Sequence, residues 1–140
     1  MIFLDAVLPQ PGRSWFETMG PDVEKIMSGL VNNDAIPFFT REQLDQQYPG
    51  HGIGDADWAW MQPKATPQPV ATYTQPAITQ PLDPATTPLA YVKCLRTTPP
   101  AADISETSPG WKFRTLDTGH WPMITNPDAT AQVIAELAVT

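Results

Sequence analysis

The sequence predicts an α/β fold, and three observations carry that expectation. After Pro88 the order reads strand, helix, strand, helix: "LAYVKC" as a strand, residues 100–107 as a short helix, "WKFRTL" as an alternating strand and 127–138 as a helix opening at Asn126-Pro127. In that last helix Val133, Ile134, Leu137 and Ala138 form one apolar stripe, as a helix covering a sheet face requires. At the other end "IFLDAVL", residues 2–8, is a continuous apolar run closed by Pro9, Pro11 and Gly12, the pattern of a buried strand in a parallel sheet.

Between these ends the pattern is mainly helical. Phe16, Met19, Val23, Ile26, Met27 and Leu30 recur at steps of three and four, and Gly20-Pro21 splits the stretch into two short helices. "TREQLDQQYPG" starts on Thr40 with Gln43 three residues later, a capping-box arrangement, and stops at Pro49-Gly50. Asp55 or Asp57 is placed to cap a helix carrying Trp58 and Trp60, and His51 in the preceding "HGIG" reads as exposed. Nine of the 17 prolines fall between residues 61 and 100. Val70, Tyr73, Ile78 and Leu82 in that stretch favour an irregular segment laid over a protein surface rather than a free linker.

Composition limits the function. A 140-residue chain with 41% apolar residues is one domain's worth of core, without internal repeats. A net charge of −7, with eight scattered Lys and Arg residues, argues against nucleic acid as a partner. Cys94 is the single cysteine, and neither His51 nor His120 has ligand-type neighbours at metal-binding spacing, so no disulfide, metal or cofactor is expected. Cys94, at a strand end, reads as a packed and inert thiol. The start lacks a basic leader and no apolar run is long enough to span a bilayer, so a cytoplasmic protein without a membrane partner is expected.

The chemistry concentrates at "LDTGHWPMITNPD". Here His120 sits on a strand-to-helix turn, where a backbone-held imidazole can reach a substrate at the carboxyl end of a parallel sheet. From position alone a partly exposed loop histidine with no task is the better reading. The surrounding text resembles the end of α/β-hydrolases: "LDTGHWPMITNPDATAQVIAEL" their histidine turn and closing helix, "FLDAVLPQPG" a sixth strand, "WAWMQPKATPQPVATY" a lid end and "YVKCLRTTPP" a seventh strand. It is similar in this to the branch that includes methylesterases and hydroxynitrile lyases.

That resemblance implies the carboxyl half of an α/β-hydrolase sheet, its last three strands and closing helix at 1–9 and 87–140, with a mainly helical lid at 10–86. It further implies His120 as catalytic histidine of a serine esterase acting on a small ester, and Thr97 where the family carries its acid. A threonine hydroxyl can accept from an imidazole but brings no charge to stabilise an imidazolium. Asp5 and Asp103 are alternative acids, each also readable as an ordinary cap or solvated residue, and Asp117 lies too near His120 in sequence. No serine stands in a G-x-S-x-G turn: Ser28 ends a helix and Ser108 sits in a turn. The nucleophile and oxyanion hole are therefore expected to precede Met1, and the 140-residue chain by itself to be inactive. A second expectation, from another class, is a non-catalytic remnant or binding module that self-associates or docks on an amino-terminal half. Among the five tryptophans, Trp121 beside His120 is the candidate for lining a pocket.

Overall fold

The structure, a computed structural model, describes residues 1–139. In chain order its elements are β1 (Ile2–Leu4), α1 (Trp15–Met19), α2 (Pro21–Ser28), β2 (Ala35–Ile36), α3 (Arg41–Gln47), α4 (Asp55–Met61), a 3-10 turn (Gln62–Lys64), β3 (Gln68–Pro69), α5 (Ala71–Thr74), β4 (Leu89–Cys94), β5 (Trp111–Leu116), α6 (Pro122–Thr125) and α7 (Pro127–Ala138). They are mixed α/β and form two compact units.

The first unit comprises Met1–Leu8, Arg41–Met61 and Asp83–Thr140. It holds a three-stranded parallel sheet of order β1-β4-β5, with Ile2 opposite Ala90, Val92 opposite Arg114 and Cys94 opposite Leu116. β4 is the central strand, and only Lys93 escapes full burial, which is why its text is apolar at every other position. Tyr91 and Val92 are completely buried, each such side chain contributing roughly 1.5–3 kcal/mol by leaving water. One face of the sheet is closed by α7: Ala90, Val92, Leu116 and Leu137 form the core, with Ile2, Leu4, Ala129 and Val133 packed against it. The spacing 129, 133, 137 is the helix's sheet-facing row. Ile134, expected in that row, is instead 39% exposed, because the row steps by four residues and passes it by.

The second unit comprises Pro9–Thr40 and Gln62–Leu82. Ser14 and Glu17 make a reciprocal capping box on α1, the serine hydroxyl accepting from the Glu17 N–H and the glutamate from the Ser14 N–H. Gly20, at φ 93, turns the chain between α1 and α2, and Pro21 opens α2, so the expected split into two helices holds. The proline-rich stretch is not free chain: Tyr73 stacks on Phe16 at 5.4 Å, and β3 pairs antiparallel with β2.

Other expectations are corrected. The first strand ends at Leu4, not residue 8, because Asp5 adopts a left-handed backbone (φ 46) that no strand continues. Residues 100–107 form turns rather than a helix, Pro99, Pro100 and Pro109 bracketing a stretch too short for a stable one. β5 does not alternate in burial: Arg114 and Thr115 are both exposed toward its end.

Candidate functional site

The site is assembled within the first unit, at the carboxyl ends of the parallel strands. β1 delivers Asp5, the turn after β4 delivers Arg96 and Thr97, the turn after β5 delivers Gly119 and His120, and the end of α3 delivers Tyr48. The left-handed turn at Asp5, a conformation aspartate tolerates better than most residues, ends β1 while its N–H still donates to the Val92 carbonyl at 2.8 Å.

Asp5 is 1% exposed, and its carboxylate accepts three hydrogen bonds. His120 Nδ1 lies 2.8 Å from Oδ2, the Thr97 hydroxyl donates to the same oxygen at 2.5 Å, and the Cys94 N–H donates to Oδ1 at 3.1 Å. Burial alone would push this carboxyl up, but the bonds from His120, Thr97 and the Cys94 N–H outweigh it and hold the group below the ordinary carboxylate range. An ionised Asp5 can only accept, so Nδ1 carries the proton and Nε2 of neutral His120 is the bare nitrogen. Among the described residues no protein group hydrogen-bonds Nε2. The ring is clamped by aromatics, Tyr48 stacking at 5.5 Å and Trp121 meeting it edge-on at 4.9 Å. Burial, then the Asp5 charge, raises the Tyr48 phenol above its ordinary value, so it stays neutral.

His51 is the surprise of the site. Expected to be exposed, it is 7% exposed, with both ring nitrogens in use: Nδ1 accepts from the Ile53 N–H at 2.9 Å, and Nε2 lies 2.9 Å from Asp45 Oδ1. That pattern fixes the Nε2–H tautomer and leaves no lone pair for catalysis. The His51 bond, with Arg41 adding to it, holds the Asp45 carboxyl below its usual range. The backbone of His51 instead forms a wall for the His120 turn: a Cβ at Gly119 would meet its Cα at 2.5 Å and its carbonyl oxygen at 2.6 Å, so only glycine permits this approach.

Tyr48, Pro49, His51, Arg96, Thr97, Thr98, Gly119 and His120 line a shallow cleft that offers a water-sized group about 10 Å³, space for roughly one water. Arg96 is engaged by Asp117 in a two-pronged pair at 2.9 and 3.0 Å, and each holds the other in its charged form. No cluster of three or more His, Cys, Asp or Glu suited to a metal ion exists among the described residues. No helix among them is long and apolar enough to cross a membrane.

Of the carboxylates weighed in the sequence, Asp5 meets His120; Asp103 is exposed, and Asp117 pairs with Arg96. Thr97 donates to the acid rather than accepting from the imidazole. Cys94 is fully buried, its thiol pushed up to about 11 mainly by burial. Trp121 supports the His120 ring and is not among the residues that line the cleft. Asp57 caps α4 from its third position, accepting from the Gly54 N–H at 3.3 Å. The role of Tyr48 had no signal in the sequence, where it is simply an aromatic residue before Pro-Gly. No protein-family model matches the chain, and no curated protein matches it.

Proposed function

We propose that this chain supplies the acid and histidine of a serine-esterase-type site of the α/β-hydrolase kind, with Asp5 as the acid, His120 as the general base and a small ester as substrate. The observation that carries the reading is the buried Asp5 carboxylate 2.8 Å from His120 Nδ1, with no hydrogen bond to Nε2 among the described residues. Nε2 of such a pair takes the proton of an attacking hydroxyl and returns it to the leaving alkoxide, while the carboxylate holds the tautomer and stabilises the imidazolium. The parallel order β1-β4-β5 with α7 closing one face supports the reading of these strands as the last three, with the closing helix, of such a fold.

A serine on a sharp turn and an oxyanion hole complete the reaction, and the 140 residues contain no G-x-S-x-G. A second polypeptide segment supplies both. The isolated chain is accordingly inactive, since a base without nucleophile and oxyanion hole adds little to hydrolysis by water.

The test is to purify the tagged chain from the cells that make it and treat the preparation with a fluorophosphonate probe. A co-purifying polypeptide labelled on serine, with labelling and p-nitrophenyl acetate turnover both lost in His120→Ala, is the expected result. Labelling and turnover indifferent to His120→Ala refute the reading, as does steady turnover by the chain alone.

A non-catalytic docking module is the second reading. The sheet order leaves β1 and β5 with one strand neighbour each among the described residues. It predicts a stable complex with the same kind of partner, or self-association through a strand edge, without serine labelling.

A further inference from the structure

Thr97 stands where the resemblance leads one to look for an acid, yet its hydroxyl binds the acid supplied by another strand. The Asp5 carboxylate sits on a sparsely populated backbone turn and is almost completely buried. Its three donors come from three places: the Cys94 N–H on β4 takes Oδ1, while the Thr97 hydroxyl and His120 Nδ1 converge on Oδ2.

We propose that Thr97 is a positioning residue for His120, its hydroxyl fixing the rotation of the Asp5 carboxylate and keeping that carboxylate charged. The terminal torsion of an aspartate is soft, so one strand amide on one oxygen does not define where the other points. A second donor on Oδ2, anchored in the turn that follows β4, removes that freedom and leaves a lone pair directed at Nδ1. The same hydroxyl favours the ionised form by donating to it, which offsets the burial that opposes ionisation. The inference rests on His120 being the base of the site, for which an oriented, charged partner is the requirement.

The competing explanation is that Thr97 only fills space. Thr97→Val keeps the shape and removes the hydroxyl; Thr97→Ser keeps the hydroxyl and trims the shape. The experiment follows the Asp5 carboxyl carbon by NMR against pH in the aspartate-labelled 140-residue chain. In Thr97→Val the titration midpoint of Asp5 moves up by roughly one unit, the worth of one hydrogen bond to a buried carboxylate, and in Thr97→Ser it stays with the parent. An unchanged midpoint in Thr97→Val, or an equal rise in both variants, overturns the proposal. Should Thr97→Val lose its folded spectrum, Thr97→Ala is read by the same criterion. Because no turnover is involved, failure here is distinct from failure of the general-base reading, which shows in His120→Ala.

Discussion

Replacing Asp5 by Asn isolates the charge at the centre of the site while keeping its shape. The side-chain oxygen can keep the Cys94 N–H, which forces the amide nitrogen toward Thr97 and His120. The threonine hydroxyl can rotate to accept, but His120 can accept at Nδ1 only by moving its proton to Nε2. All three bonds lose their charge assistance and the tautomer is inverted; relief of the buried charge offsets part of this, and with Asp5 1% exposed, water does not make good the rest. Hydrogen bonds to charged groups are worth about 1.5–3 kcal/mol, so Asp5→Asn lowers the unfolding free energy by that amount at pH 7. The sign with pH follows from the folded-state value of Asp5 lying below its unfolded value. The stabilisation is therefore full above the unfolded value of about 4 and is lost as pH falls through the folded one. Urea unfolding at pH 7, 5 and 3 reads the magnitude, the gap between parent and variant closing toward acid. Nitrogen-15 spectra of the histidine ring at alkaline pH read the tautomer. A variant within about 0.5 kcal/mol of the parent at pH 7, still protonated on Nδ1, refutes the role given to Asp5.

Two further predictions test the walls of the site. Gly119→Ala places a methyl 2.5 Å from the His51 Cα, and because the obstacle is backbone, the 119–120 turn must shift at a cost of about 1–3 kcal/mol. The stacking of His120 on Tyr48 loosens with it, seen as a change in the ring-current shift of the His120 protons; an unchanged melting curve and spectrum refute this. The Cys94 thiol, fully buried and pushed up to about 11, is about 0.1% thiolate at pH 8 and resists a disulfide reagent until urea unfolds the chain; rapid modification of the folded protein contradicts its placement.

Much of the architecture was legible because local physics decides it. "LAYVKC" is apolar at every position but Lys93 because a central parallel strand is covered on both faces, and 127–138 is a helix because Pro127 starts it and its apolar residues recur on one side. The break at Gly20-Pro21 is likewise settled by residues in direct sequence contact, whereas the capping box at Ser14 was not among the caps read from the sequence. His120 was identifiable as a loop histidine at the carboxyl end of a strand, since the turn text itself names it.

What the sequence could not rank was its partner. Asp5, Asp103 and Asp117 are equivalent as letters, and Asp5 is 115 residues from His120 along the chain. Only the parallel pairing of β1 with β4 and of β4 with β5 brings the ends of these strands side by side. The burial of His51 belongs to the same class: its neighbours Gly50 and Gly52 suggest an exposed turn, but the approach of Gly119 from the far end of the chain covers it. Sequence alone determined elements whose causes lie within a few residues, helix caps, strand hydrophobicity and the histidine turn. The tertiary structure decided which charges meet and which side chains leave water, because those are set by strand order and register, properties of contacts that no single segment contains.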